Sequence, residues 1–100
     1  MNESQILRPR VLLSIQRALL GEVSAFLRGV TCSWDESSIN IKCYFDGEPS
    51  ENDQESMECV ASEVMADFPE HDVQINTIRL DKPQSLKDQS LMTWAYLRKE

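Results

Sequence analysis

The stretch Ile39-Asn40-Ile41-Lys42-Cys43-Tyr44-Phe45-Asp46 decides the fold, because apolar and polar side chains alternate along it without a break. Successive side chains of a β-strand point to opposite faces of the sheet. The alternation therefore predicts a half-buried strand. Its buried face carries Ile39, Ile41, Cys43 and Phe45.

A second strand is expected in the preceding run 24–34, with residues 35–38 as the turn between the two strands. Placing Trp34 opposite Ile39 separates apolar from polar side chains. A slip of one residue would exchange the two faces, so this separation supports the register. The core side then pairs Trp34 with Ile39, Cys32 with Ile41, Val30 with Cys43 and Arg28 with Phe45; the other side pairs Ser33 with Asn40, Thr31 with Lys42 and Gly29 with Tyr44.

A helix over 51–67 follows the turn at 46–49. Ser50 and Asp53 have the spacing of a capping box, in which a hydroxyl and an acid satisfy exposed amides at the helix start. Pro69 ends the helix. The apolar positions recur at helical spacing, and we expect the methionines to fill the core. These positions are Met57, Val60, Ala61, Val64, Met65 and Phe68.

A first helix is expected at about 9–22, with Pro9 in its first turn and Gly21 as its left-handed stop. Its apolar face consists of Val11, Leu12, Ile15, Ala18, Leu19 and Val23. A third strand is expected at 73–80, where Ile75 and Ile78 point to opposite faces; either a bulge or a strand covered on both sides explains this. A fourth strand is expected at 92–98.

The predicted order α-β-β-α-β-β describes an α+β two-layer sandwich, in which two helices cover one face of a four-stranded, mainly antiparallel sheet. We expect residues 1–100 to form a single domain. The helical crossover makes the third strand parallel to the second, so an all-antiparallel sheet needs the spatial order 1-2-4-3 or 2-1-3-4. We favour 1-2-4-3.

Composition excludes several classes of function. A net charge of −7 opposes contact with phosphates, so nucleic-acid binding is not expected. No apolar run is long enough to span a membrane and no signal peptide is recognised, so a cytoplasmic location is expected. One histidine and three cysteines without C-x-x-C spacing predict neither a metal site nor a cofactor, and we expect reduced thiols.

The 36 residues between Lys42 and Arg79 contain ten carboxylates and no lysine or arginine. Two interpretations are open: a negative surface that keeps the protein soluble, or a surface that meets a cationic partner. In the second, the contact residues are the acids of the turn and of one helix face. We predict that these are Asp46, Glu48, Glu51, Glu55 and Glu58.

Aromatic residues offer a second candidate surface. Tyr44 lies opposite Gly29 on the polar side of the hairpin, where it either covers the glycine or anchors a partner. Trp94 and Tyr96 share one face of the fourth strand; they form a patch with Tyr44 if that face is the open one, and belong to the core if it is not. Trp34 is expected at the core edge, and His71 in a solvated loop.

Five segments together resemble a family of small acidic bacterial proteins that includes immunity proteins of contact-dependent growth inhibition systems. The resemblance covers about 20–100 and implies a cytoplasmic, non-enzymatic protein that binds and neutralises the C-terminal domain of a toxin, often a nuclease. The segments are Tyr44-Phe45-Asp46-Gly47-Glu48, Glu63-Val64, Ala66-Asp67-Phe68-Pro69, Arg79-Leu80-Asp81 with Pro83, and Trp94-Ala95-Tyr96-Leu97-Arg98-Lys99-Glu100.

Two other functions compete with this one. A structural or regulatory homodimer could use an uncovered sheet face or a free edge strand. A hydrolase using Asp46 and Glu48 is less favoured, because neither a nucleophile nor a general base can be named beside them.

Overall fold

The computed structural model describes residues 3–100, with side chains from Gln5 onward. The predicted order of elements and the α+β class are confirmed. The elements are α1 (Glu3–Ala18), β1 (Leu27–Trp34), β2 (Ser38–Phe45), α2 (Glu51–Asp67), β3 (Asp72–Arg79) and β4 (Thr93–Leu97).

The hairpin register is confirmed from Trp34 opposite Ile39 to Gly29 opposite Tyr44, and it is wrong at Arg28. A β-bulge between Leu27 and Gly29 places Leu27, not Arg28, opposite Phe45. The physical reason is polarity: a guanidinium on the apolar face would be buried without partners. The extra residue lets Leu27 enter the core with no exposed surface.

The predicted strand order is wrong, because the sheet has the order β3-β2-β1-β4. α2 carries the chain back along the sheet, and β3 pairs directly with β2 in parallel, from Ser38 opposite Asp72 to Phe45 opposite Arg79. β4 then pairs antiparallel with the free edge of β1. No bulge interrupts the β2–β3 pairing, and Ile75 and Ile78 are both half-buried on opposite faces.

α1 begins earlier than predicted and contains Pro9 instead of starting at it. Leu7 explains the difference, since it lies one turn before Val11 and extends the buried stripe toward the start of the helix. The helix ends at Ala18 and not at the predicted residue 22, so Val23, expected on its apolar face, lies beyond the helix and is 40% exposed. Gly21 adopts the expected left-handed conformation, φ +80°, in the turn that follows.

Both helices pack on the face of the sheet that carries Ile39 and Ile41, as predicted. α2 has the predicted bounds and capping box, and Met57, Val60, Ala61, Val64 and Phe68 are buried. Met65 was expected in this stripe but is 46% exposed. No helix in the part of the chain that is described is long and apolar enough to cross a membrane.

Candidate partner-binding surface

The turn between β2 and α2 is held by hydrogen bonds between backbone N–H groups and carboxylates that join it to the segment that follows β3. Gly47, at φ +89°, donates its N–H to Asp81 Oδ1 over 2.7 Å. Asp46 accepts the N–H of Lys82 at 3.2 Å through Oδ1. Hydrogen bonds from Arg79 and from the Gly47 N–H lower the pKa of Asp81 below its usual value. The turn therefore presents its acids from a fixed backbone.

The acidic surface, defined as Asp46, Glu48, Glu51, Glu55 and Glu58, divides into two parts. Its turn acids have cations within reach: Asp46 lies 3.8 Å from Arg98 Nη2, and Glu48 lies 3.6 Å from Arg79 Nη1. Glu48 is 77% exposed, so solvent screens its pair and the carboxylate stays accessible.

The acids of the acidic surface that lie on α2 have no cation within ion-pair distance in the described part of the chain. Glu51, Glu55 and Glu58 are exposed on one face of α2, and within residues 3–100 none of them forms an ion pair. Glu55 and Glu58 line a shallow groove of about 530 Å³ together with Glu63. This face is where a cationic partner would meet unopposed negative charge.

Other acids of the run serve the fold instead of a partner. Asp53 is 7% exposed and exchanges capping hydrogen bonds with Ser50. Asp67 accepts a hydrogen bond from the Ser14 hydroxyl at 2.7 Å and lies 3.5 Å from Arg17 Nη2. Part of the acidic run thus has a structural explanation.

The expectation that Trp94 and Tyr96 share a face is wrong, because they lie on opposite faces of the sheet, and the three aromatics therefore form no common patch. An irregularity in the β1–β4 pairing places Trp94 opposite Thr31 and Tyr96 opposite Val30. Tyr96 consequently packs against the core. Trp94 stays on the open face, where its ring centroid lies 6.2 Å from that of Tyr44.

Trp94 also covers Gly29. A Cβ at position 29 would lie 2.8 Å from Trp94 Cζ3, so only glycine leaves room for the ring. Tyr44 is 3% exposed, and its hydroxyl donates to Gln89 at 3.3 Å. Burial raises the pKa of that hydroxyl. Tyr44 offers little surface to a partner in this conformation, and Trp94 is half-buried.

A buried guanidinium lies at the end of the sheet, and its polar partners were not predicted from the sequence. Arg28 is 2% exposed and donates through Nη1 to the backbone oxygen of Leu80 at 2.6 Å. Its other donors bind Glu100, and these hydrogen bonds raise the pKa of Arg28 and lower that of Glu100 to about 2. Arg98 Nη2 also donates to Glu100 at 2.9 Å and lies 3.8 Å from Asp46. These contacts join β1, the residues that follow β4 and the Asp46 turn in one network.

The remaining chemically reactive groups are three cysteines and one histidine. Cys32 and Cys43 are buried free thiols, and burial raises their pKa values to about 11 and about 12; Cys59 is an exposed free thiol. His71 was expected in solvent but is half-buried against the Phe68 ring. Trp34 is buried, as predicted. Among residues 3–100, no group of three His, Cys, Asp or Glu side chains is arranged to hold a metal ion.

Comparison with known protein families relates the chain to immunity proteins. A family model described as MafI2 immunity protein matches residues 8–100. The match extends the expected range of 20–100 into α1. Likeness to immunity proteins is therefore confirmed, whereas the association with contact-dependent growth inhibition stays a prediction. A comparison with curated proteins found no match.

Proposed function

The chain belongs to the MafI2 immunity protein family, and we propose that it binds and neutralises a cognate toxin domain by protein–protein contact. The observation that carries the proposal is the family match, which spans both helices and all four strands with the exception of the first residues of α1. The protein needs no catalytic residue for this task, because blocking an active site requires only complementary shape and charge.

The charge distribution supports a basic partner. The unpaired acids of α2 and the held acids of the 46–48 turn project from adjoining elements. Complementary charge accelerates diffusional encounter and disfavours wrong partners. A protein that must capture a toxin before it acts gains from fast association.

A nuclease is the toxin class that fits this surface best. Nucleases bind phosphates through clustered lysine and arginine side chains, because the nucleic-acid backbone is a dense line of negative charge. Carboxylates on α2 can occupy the same cationic groove or cover its rim. We propose the C-terminal domain of a larger bacterial toxin as the partner, with neutralisation taking place in the cytoplasm.

Co-expression tests the proposal directly. The toxin domain encoded beside the gene for this chain would be induced in bacteria with and without the protein, and growth would be recorded. We expect growth only when both are present, and a stable complex of the two purified proteins on size exclusion. Continued toxicity at an excess of the protein, with no complex, would overturn the proposal.

The homodimer hypothesis is tested by a different measurement, the mass of the free protein in solution. β3 and β4 are the two edges of the sheet and leave backbone groups free to pair with another strand. Light scattering of the free protein measures its mass. A dimer that persists at nanomolar concentration and is unaffected by the toxin domain would favour the structural or regulatory alternative.

A further inference from the structure

Phe26 is a large aromatic side chain that the fold leaves 60% exposed. It lies in the connection between α1 and β1, which also contains Leu20, 78% exposed, and Val23, 40% exposed. Single exposed apolar residues are ordinary, but three in one short connection call for an explanation. The sequence did not single out Phe26, because it precedes the bulge that shifts the alternation of β1.

The backbone around Phe26 is held on both sides. Its carbonyl accepts the N–H of Asp46 at 2.9 Å, and its own N–H donates to Ser24 Oγ at 3.3 Å. The carbonyl of Ala25 accepts a 2.6 Å hydrogen bond from Arg98 Nη1. An exposed aromatic on an ordered backbone loses little conformational entropy on binding, which is the property of an interface anchor.

Phe26 also forms one wall of a cleft of about 350 Å³ whose other walls come from the acidic turn. Asp46 and Glu48 line the cleft, and so does Asp53 near the start of α2. The exposed Glu48–Arg79 pair is weak enough to exchange its partner. The cleft therefore combines an aromatic face with carboxylates, a combination suited to a cation that also carries apolar surface.

Leu13 provides the contrast. It is 52% exposed and lines a separate cleft of about 260 Å³ on α1. Arg10 and Arg17 line that cleft with a single carboxylate, Asp67, which lies 3.5 Å from Arg17, so the cleft does not favour a basic partner. Of these two clefts, only the one at Phe26 matches the charge of the partner proposed above.

We propose that the Phe26 cleft is the energetic centre of the toxin interface and accepts an arginine side chain of the toxin domain. This inference rests on the proposed function. The guanidinium stacks on the Phe26 ring and pairs with Glu48, while its methylene groups cover the apolar wall. Arginine suits the site better than lysine, because its planar group stacks on an aromatic ring and binds a carboxylate through two donors.

Binding of purified variants to the inactivated cognate toxin domain, followed by biolayer interferometry, tests the inference. Phe26→Ala should weaken affinity by about thirtyfold, mainly through faster dissociation, as for an interface hot spot. Phe26→Tyr, which keeps the ring, should bind as the wild type does. Phe26→Leu, which keeps bulk without the aromatic face, should lose most of the affinity. Leu13→Ala is the matched control and should bind normally.

A second set of variants identifies the arginine. Surface arginines of the toxin domain would be changed to lysine one at a time. One of these changes should weaken binding to the wild-type chain and have little further effect on Phe26→Ala, because the two residues act as a pair.

The outcomes separate the two proposals. If the wild-type chain does not bind the toxin domain, the proposed function fails. If the wild type binds and Phe26→Ala binds equally well, the cleft is not the centre of the interface. If Phe26→Leu binds as the wild type does, or no toxin arginine couples to Phe26, the arginine assignment is overturned.

Discussion

Arg28 donates to both carboxylate oxygens of Glu100, over 2.8 Å from Nε to Oε2 and 2.9 Å from Nη2 to Oε1. The Arg28 side chain is 3% exposed and that of Glu100 23% exposed. This pair joins β1 to the residues that follow β4 and satisfies the one guanidinium that the β1 bulge turns away from the apolar core. Glu100 also accepts from Arg98, which lies 3.8 Å from Asp46 in the acidic turn.

Glu100→Gln tests how much this pair contributes to the stability of the fold. The amide keeps the size of the side chain but leaves Arg28 without its negative partner. We expect the free energy of unfolding to fall by roughly 1–3 kcal/mol, the range for hydrogen bonds to charged groups. Urea denaturation measures the loss. Glu58→Gln, on the exposed face of α2, is the control and should change stability by less than about 0.5 kcal/mol.

The pH dependence of stability follows from the same carboxylate. Arg28 lowers the pKa of Glu100 from 4.5 to about 2, so the unfolded chain takes up this proton first as the pH falls. The stabilisation is complete above the unfolded value and is lost between pH 4.5 and about 2. The stability difference between wild type and Glu100→Gln should therefore shrink across that interval. A difference that stays constant on acidification would contradict this account.

Phe68 links α2 to α1 and to the loop before β3. It is 4% exposed, Arg10 lies over its ring at 5.1 Å, and His71 meets it edge-on. Phe68→Ala should cost roughly 3–5 kcal/mol of unfolding free energy, as for other buried aromatics. Met65→Ala, on the exposed side of the same helix, should cost less than about 1 kcal/mol. A loss below about 1 kcal/mol for Phe68→Ala would mean that α2 packs differently.

The three cysteines should differ sharply in reactivity. Cys59 is exposed, whereas Cys32 and Cys43 are buried with pKa values raised to about 11 and about 12. A thiol reagent at mildly alkaline pH should modify one cysteine in the native protein and all three after denaturation, because the thiolate is the reactive form. Mass spectrometry of the non-reduced protein checks the total, and a mass two hydrogens lower would reveal a disulfide.

The acidic surface should govern association with the toxin. Asp46 holds Lys82 and faces Arg98, so the clean variant changes only Glu48, Glu51, Glu55 and Glu58 to glutamine. Association should slow by roughly tenfold at low salt, and its salt dependence should flatten. The charge-matched control changes Glu22, Glu36, Glu70 and Asp88 to amides. Equal association rates for the two variants would leave the acidic surface with a role in solubility alone.

Sequence patterns predicted the parts of the fold that depend on residues close together in the chain. Alternation gave the β1–β2 register from Gly29 to Trp34, and the Ser50–Asp53 spacing located the start of α2. Periodicity was insufficient for the strand order, because it records which face of a strand is apolar and carries no information about its neighbour. The start of α1 differs from the prediction because Pro9 is typical of a first helical turn, whereas burial of Leu7 extends the helix before it.

The candidate site was likewise predictable from the sequence in part. The sequence alone determined where negative charge is concentrated and that Glu51, Glu55 and Glu58 share a face of α2, because these features depend on residue type and helical spacing. Only the tertiary structure decided which aromatics remain accessible. Two bulges in the pairing of β1, one turning Arg28 toward Glu100 and one separating Trp94 from Tyr96, reverse the facing of side chains relative to strict alternation. Phe26 meets the acidic turn for a similar reason: its carbonyl pairs with Asp46 across the sheet end, a long-range contact that residue spacing does not encode.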